Sequence, residues 1–146
     1  MAEVQALSIA RNNLLVCLSL LEAFQALGLR HLVLCPGSRS GPLAIAAGAM
    51  ARANRLRLST AIDERSAAFL ALGFSAATGS ATAVVTTSGT AVANLLPAAV
   101  EADRSCQPLL LLTADRPDRL KDCGANQTVN QEAFLAPVCR WVGQGP

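Results

Sequence analysis

The run Asp63-Glu64-Arg65-Ser66-Ala67-Ala68-Phe69-Leu70-Ala71-Leu72-Gly73-Phe74 places two acids and a base at the head of an otherwise almost wholly apolar helix. The two carboxylates suit a first helical turn, where they complement unpaired backbone N–H groups and the positive end of the helix dipole. A second interpretation starts from the strand-like run 55–60, which puts Glu64 at a strand's carboxyl end, where open α/β sheets bind ligands. A carboxyl between apolar helices there could keep a proton for a ligand nitrogen. The choice depends on what the rest of the chain places beside Glu64.

Upstream of this run, the pattern predicts helix, strand, helix and strand in turn. Apolar residues at three- and four-residue steps predict a first helix ending at Gly28: Leu14, Cys17, Leu18, Leu21, Phe24 and Leu27. A strand at 31–35 is then stopped by Pro36-Gly37, and a helix follows from Leu43 to about Asn54. The short strand 55–60 leads directly into the Asp63 helix.

Downstream, the alternation continues. A β-branched strand at 81–87 precedes a helix from Ala91 to about Ala102, which Pro97 is expected to bend. The uniformly apolar run 109–113 predicts a central strand covered on both faces. A polar segment, 114–131, and a short closing element ending at 140–142 complete the chain.

This alternation predicts an α/β fold, with three α/β/α layers around a doubly wound, mainly parallel sheet. At 146 residues, one domain spanning 1–146 is expected. The composition is 52% hydrophobic and 15% charged, which indicates either many internally buried elements or, as we favour, surface meant for a partner.

Composition also argues against several classes of protein. Twelve basic residues are scattered and only one, Lys121, is a lysine, so no nucleic-acid footprint is present. Five widely spaced cysteines without a C-x-x-C pair, with His31 as the sole histidine, argue against a zinc site or disulfide framework and favour a reducing, cytoplasmic setting. The apolar run 14–21 is short, no run is expected to reach the length of a membrane span, and no span is predicted.

Polar clusters follow four successive predicted strands, at residues 36–40, 63–66, 87–90 and 113–117. The carboxyl ends of parallel strands converge on one edge, so the clusters are expected to meet. Each cluster alone could be an ordinary helix cap. Arg39 and Arg116 carry guanidinium forks suited to carboxylate or phosphate, although Arg116 could instead pair with a neighbouring aspartate. With the amides of Asn126 and Gln127, these residues predict a site for a polyanionic small molecule, with Glu64 as its acid–base group.

Five segments, in this order and spacing, carry a family resemblance: 34–43 (LCPGSRSGPL), 63–66 (DERS), 87–95 (TSGTAVANL), 112–117 (LTADRP) and 122–127 (DCGANQ). They resemble the 2-succinyl-5-enolpyruvyl-6-hydroxy-3-cyclohexene-1-carboxylate synthases, thiamine-diphosphate enzymes of menaquinone and phylloquinone biosynthesis. The resemblance extends from about residue 12 to 141. It implies the pyrimidine-binding domain of a thiamine-diphosphate-binding fold.

The resemblance also implies roles. Glu64 matches the catalytic glutamate that hydrogen-bonds N1′ of the cofactor's aminopyrimidine, which promotes ionisation of the thiazolium carbon. In the family, 2-oxoglutarate is decarboxylated and the succinyl-semialdehyde carbanion adds to isochorismate. Two sets of residues match binding positions. On the cofactor side these are Pro36, Ser88, Gly89 and Thr90, and on the substrate side Ser38, Arg39, Arg116, Asn126 and Gln127.

One departure from the family is large. The family's middle domain and its pyrophosphate-binding domain, with a Gly-Asp-Gly motif and a magnesium site, have no counterpart in this sequence. The chain is therefore expected to be an N-terminal fragment that is inactive alone, with Mg²⁺ ligands in the absent domain and none here. Self-association is expected, since the family's sites form between subunits of a homodimer or homotetramer. Two alternatives stay open: the pyrimidine domain of a relative such as an acetohydroxyacid synthase, and a non-catalytic binding or assembly module.

Overall fold

In a computed structural model, which describes the backbone of residues 2–145 and the side chains from residue 5 onward, four strands form one sheet with helices on both faces. The helices and strands are, in chain order, α1 Ala2–Ala26, β1 His31–Leu34, α2 Gly41–Arg52, β2 Arg57–Thr60, α3 Glu64–Thr78, β3 Thr82–Thr86, α4 Thr90–Ala93, α5 Leu96–Arg104, β4 Leu109–Thr113, a 3-10 helix Asp118–Leu120 and α6 Glu132–Leu135.

The sheet order is β2-β1-β3-β4, and every neighbouring pair is parallel. The chain runs from β1 outward to β2, then crosses back over β1 to β3 and continues to β4. The winding direction thus reverses between β1 and β3, which is where sheets of this kind open a crevice for ligands. The predicted doubly wound α/β fold is confirmed.

Alternate residues of the strands build two separate cores. Val33 and Val84 face α3 and α5, where they join a cluster that includes Ala67, Ala71 and Leu95. The strand residues one position away face α1 and α2 instead. They form a second cluster, in which the strands contribute Leu32, Leu34, Ala83 and Val85 and the helices contribute Leu21, Ala46, Ala47 and Met50. Successive strand residues point to opposite faces of a sheet, so this division gives the three predicted layers.

Helix α3 is capped at both ends. The Asp63 side chain accepts a hydrogen bond from Ser66 N at 2.7 Å, and Gly79 ends α3 in the left-handed conformation with φ +65°. Ser75, fully buried in α3, donates to the carbonyl of Pro108 at 2.7 Å, just before β4 begins. The interpretation of Asp63 as a helix cap is therefore confirmed, and it leaves Glu64 free as the first residue of the helix.

Two local predictions are wrong. The helix expected at 91–102 is two helices, α4 and α5, with Pro97 in the first turn of α5. Proline lacks the N–H that a continuous helix needs, and the chain breaks just before it. The strand β4, expected at the centre, lies at an edge of the sheet and is half-buried along its whole length, whereas β3 is buried throughout. No strand among residues 2–145 pairs with its outer side.

The first helix is longer than expected. Its segment Gln5–Ala26 is long and apolar enough to cross a membrane by length and composition, so the prediction that no run reaches this length is wrong. Core helices of soluble proteins and signal sequences pass the same test. In the structure Leu21 is fully buried in the cluster that contains α2 residues, but it is the one buried residue of the segment 5–26, most of which is exposed.

Candidate functional site

The four predicted polar clusters meet at one edge of the sheet. In the strand register Leu34 pairs with both Thr60 and Val85, and Val85 pairs with Leu112, so all four strands end at one level. The segments that follow these strands, 35–40, 61–64, 87–90 and 114–131, together form the rim of the sheet. A Cβ on Gly37 would lie 2.5 Å from Thr87 Cβ, so the segments after β1 and β3 touch at the point where the winding reverses.

Glu64 lies on this rim, half-buried, at the first position of α3. Its Oε2 accepts a hydrogen bond of 3.2 Å from Nδ2 of Asn94, which stands in the break between α4 and α5. Among the described residues, Oε1 has no such partner, so one carboxylate oxygen is held and the other is available. No local pattern indicated this contact between residues 30 positions apart.

A buried thiol lies behind the carboxylate. Burial, followed by the negative charges of Glu64 and Asp63, raises the pKa of Cys35 to about 11. A thiol needs a lowered pKa to act as a nucleophile near neutral pH, so Cys35 fills space under the rim and contributes no such chemistry. All five cysteines are free thiols.

Four of the five predicted substrate-side residues, all except Ser38, are joined through the 126–127 segment. Arg39 Nη1 donates to Gln127 Oε1 at 2.9 Å, and Arg116 donates twice to the carbonyl of Asn126, from Nε at 3.2 Å and from Nη2 at 2.8 Å. Ser88 Oγ, fully buried, donates to the carbonyl of Gln127 at 2.8 Å. The segment carrying Asn126 and Gln127 therefore crosses the rim and is fastened to the ends of β1, β3 and β4.

The alternative that Arg116 pairs with a neighbouring aspartate is wrong within the described part of the chain. Asp115 and Asp118 bind Lys121 Nζ instead, at 3.0 Å and 3.4 Å, and Glu132 binds the same ammonium at 3.1 Å. This arrangement ties the start of the 114–131 segment to its end. It also leaves the Arg116 guanidinium without a carboxylate partner in the described residues, as a binding site for an anion requires.

One residue of the rim was missed altogether. Gln131 is only 4% exposed, and its side chain accepts from Gly89 N at 3.2 Å and donates to the carbonyl of Ala114 at 3.0 Å. Gly89 has φ +82°, a conformation that favours glycine, and a Cβ there would lie 3.1 Å from Gln127 Cα. A buried glutamine in a polar loop gives no sequence signal by which to predict these partners.

The remaining predicted residues are distributed over the same rim. Pro36, Ser38 and Thr90 are exposed there. Ser88 and Gly89, predicted to touch a cofactor, direct their hydroxyl and amide into the protein, toward Gln127 and Gln131. Three threonine hydroxyls in β3 and just after it are buried without a hydrogen-bond partner among the described residues: Thr82, Thr86 and Thr87. Among the described residues, no group of three or more His, Cys, Asp or Glu side chains is arranged to hold a metal ion.

Comparison with known proteins gives a consistent result. Residues 18–134 match the family model described as thiamine pyrophosphate enzyme, N-terminal TPP binding domain. A protein of Prochlorococcus marinus (strain MIT 9313) is 90% identical over 120 residues, which cover 82% of this chain and 21% of the relative. A protein of Synechococcus sp. (strain CC9311) is 75% identical over 127 residues, covering 87% of this chain and 22% of the relative.

Both relatives are named 2-succinyl-5-enolpyruvyl-6-hydroxy-3-cyclohexene-1-carboxylate synthase, as is a third from Prochlorococcus marinus (strain NATL1A), 64% identical over 140 residues, or 96% of this chain. The chain spans about a fifth of the length of these relatives. Because the family model covers most of the chain and the fold is the expected one, this chain belongs to the thiamine pyrophosphate enzyme family and carries its N-terminal TPP-binding domain.

Proposed function

We propose that the natural protein carrying this chain is a thiamine-diphosphate-dependent 2-succinyl-5-enolpyruvyl-6-hydroxy-3-cyclohexene-1-carboxylate synthase. It would decarboxylate 2-oxoglutarate and transfer the remaining four-carbon unit to isochorismate. The observation that carries the proposal is the placement of Glu64, with one free carboxylate oxygen, on the same rim as Arg39 and Arg116. The names of relatives up to 90% identical support it over the acetohydroxyacid synthase and the non-catalytic alternatives.

The residues present fit the cofactor's aminopyrimidine. The free Oε1 of Glu64 can bind a ring nitrogen. When bound, thiamine diphosphate would supply an acidic carbon that, once deprotonated, can add to a 2-oxo acid, and a cationic ring that can take up the electron pair left when carbon dioxide departs. Glu64 would hold and return a proton at the pyrimidine nitrogen. Exposed Pro36 and Thr90 would flank the ring, while Ser88 and Gly89 would shape its pocket from behind.

On the substrate side, cationic and amide donors suit the carboxylates of 2-oxoglutarate and isochorismate. Arg39 and Arg116 each keep guanidinium N–H groups beyond those that fasten the 126–127 segment. Ser38, exposed beside Arg39, adds a hydroxyl donor. Asn126 and Gln127 would present amide groups to the same anions.

The proposal includes features that lie outside this chain. Mg²⁺ and the cofactor's diphosphate would be bound by a separate domain, contributed by another subunit of a homodimer or homotetramer. Large apolar side chains exposed around α3 support such a contact, since Ile62 is 89%, Phe69 45% and Leu70 42% exposed. Free cysteines support a reducing, cytoplasmic location.

The test uses two substitutions in the natural full-length protein. Glu64→Gln keeps the side-chain shape but cannot hold the carboxyl proton, so turnover should fall with every 2-oxo acid tried. Arg39→Ala should lower kcat/KM for 2-oxoglutarate or isochorismate by about 30- to 1,000-fold, as expected for loss of roughly 2–4 kcal/mol of charge-assisted binding. Thiamine diphosphate affinity should change little.

Arg55→Ala is the matched control. Arg55 pairs with Glu22 at 2.7 Å near the opposite end of the sheet, so its loss removes an arginine contact without touching the rim. A full-length protein that released no carbon dioxide from 2-oxoglutarate would refute the proposed reaction. If Arg39→Ala behaved like Arg55→Ala, or mainly weakened thiamine diphosphate binding, the assignment of Arg39 to substrate would be wrong.

A further inference from the structure

We propose that Gln131 is a positioning residue that fixes the spacing between the cofactor side and the substrate side of the rim. The cofactor side is the Gly89–Thr90 turn after β3, and the substrate side is the Asn126–Gln127 segment. The inference concerns contacts within this chain. It rests on the proposed function only for its kinetic consequence.

The geometry gives Gln131 a central place. Its Oε1 accepts from Gly89 N at 3.2 Å, and its Nε2 donates to the carbonyl of Ala114 at 3.0 Å and approaches Thr113 Oγ1 at 3.5 Å. One amide therefore joins the segment after β3 to the end of β4, across 42 and 17 residues of sequence. Both of its polar groups are used, and the side chain is almost fully enclosed.

A change in the position of Gly89 would displace the substrate side, because the backbone of Gly89 packs directly against that of Gln127. A Cβ on Gly89 would lie 3.1–3.2 Å from the Cα, carbonyl carbon and Cβ of Gln127. Ser88 Oγ holds the Gln127 carbonyl at 2.8 Å, and Arg39 holds its side-chain oxygen at 2.9 Å. If Gly89 N lost its acceptor, the turn would relax, and Gln127 would move with it.

The neighbouring amide serves as a contrast. Asn130 Oδ1 accepts from Ala133 N at 3.3 Å at the start of α6, and among the described residues its side chain makes no hydrogen bond to a strand end. Asn130 and Gln131 are thus adjacent residues of similar chemistry, of which only one joins the strand ends. A substitution at Asn130 measures the effect of weakening the start of α6. A substitution at Gln131 also removes the hydrogen bonds that join the ends of β3 and β4.

The experiment compares Gln131→Met, Gln131→Glu and Asn130→Ala in the natural full-length protein. Methionine matches the length and volume of glutamine but offers no comparable donor or acceptor, so it tests the hydrogen bonds and not the packing. Glutamate keeps an acceptor for Gly89 N, and when protonated it also keeps a donor for Ala114 O. The readouts are amide hydrogen exchange in peptides spanning residues 87–95 and 122–131, thiamine diphosphate affinity, and separate kcat and KM values for the 2-oxo acid.

We expect Gln131→Met to speed exchange in both peptides and to raise KM while lowering kcat/KM, each by about 10-fold or more, since two buried backbone groups lose their partners. Cofactor affinity should also fall, since Gly89 and Thr90 lie on the cofactor side, but by a smaller factor than KM rises, because the Glu64 contact is untouched. In Gln131→Glu the deficit should shrink as the pH is lowered and the acid is protonated. Asn130→Ala should leave exchange in 87–95 and KM as in the wild type.

Two results would overturn the inference. One is unchanged exchange in the 87–95 peptide of Gln131→Met. The other is a loss confined to the fraction of folded enzyme, with KM unchanged, which is what a purely structural role predicts. Failure of the proposed function looks different: the exchange changes would appear as expected, but the wild-type protein would not turn over 2-oxoglutarate.

Discussion

Replacing Gly89 with alanine tests how tightly the rim is built. Gly89 precedes α4 with φ +82° and ψ −136°, a region that residues with a side chain rarely adopt. Its amide is held by Gln131 and its carbonyl accepts from Val92 N at 3.0 Å, so the backbone cannot rotate freely to relieve strain. Gly89→Ala therefore places a methyl group where neither the backbone nor the neighbours can easily give way.

The expected cost has two parts. A non-glycine residue in such a sparsely populated conformation costs about 1–3 kcal/mol. The added Cβ would also lie 3.1–3.2 Å from three Gln127 atoms, two of them backbone, so the 122–131 segment must shift by a few tenths of an ångström. A loss of about 2 kcal/mol or more in the free energy of unfolding corresponds to a drop of about 4–8 °C in Tm for a domain of this size.

Gly73→Ala is the matched control. Gly73 lies in the middle of α3, exposed, and a Cβ there meets nothing within 4 Å. Alanine should stabilise the helix by about 0.5–1 kcal/mol, so the same chemical change is expected to act in the opposite direction. Both variants are compared with the wild type by urea unfolding followed by circular dichroism, at equal protein concentration because self-association would shift the midpoint.

The reasoning would be refuted if Gly89→Ala unfolded at the same urea concentration as the wild type, or if both alanine variants were destabilised equally. The first result would mean that Gly89 is free to leave the positive-φ region. The second would mean that neither position behaves as its surroundings require.

Two further predictions concern Asn94 and Lys121. Asn94→Ala should lower turnover of the full-length protein by about 3- to 10-fold, less than Glu64→Gln, because the carboxylate loses only its orienting donor; an unchanged rate would contradict this. The pKa of Glu132 is held below its usual range by a hydrogen bond from the backbone N–H of Glu132 and by Lys121. The ionised carboxylate therefore stabilises the fold above about pH 4.3, the unfolded pKa, and this stabilisation is lost as the pH falls through the folded pKa. Amide hydrogen exchange in residues 114–131 should therefore be faster in acid, and the substitution Lys121→Met should make it faster already at pH 7. If exchange in acid equalled that at pH 7 after correction for intrinsic rates, the ion pairs of Lys121 with Asp115 and Glu132 would not hold this segment.

Much of the fold could be predicted because its determinants are local. The apolar periodicity, the turn at Pro36-Gly37 and the capping by Asp63 are readable within a few residues, and each of the four strands lies where the pattern placed it. The convergence of the polar clusters followed from a single rule about parallel strands. The assignment of individual residues to cofactor or substrate remains a prediction.

The misplacement of β4 depends on neighbours distant in sequence. The run 109–113 is as apolar as a central strand, but strand order, which the run itself does not encode, places it at the edge. Pro97 was expected to bend a helix, but the chain forms two helices and breaks just before the proline.

The sequence by itself determined that this chain would form an α/β layer structure with its polar clusters along one edge, because hydrophobic period and turn chemistry are properties of short segments. Tertiary structure alone decided which residues of those clusters form hydrogen bonds with one another. It fastened Arg39 and Arg116 to the 126–127 segment, turned Asn94 toward Glu64, and enclosed Gln131 between two strand ends. Hydrogen bonds across 10 to 88 residues form only once the sheet has brought their partners together, so no local pattern could encode them.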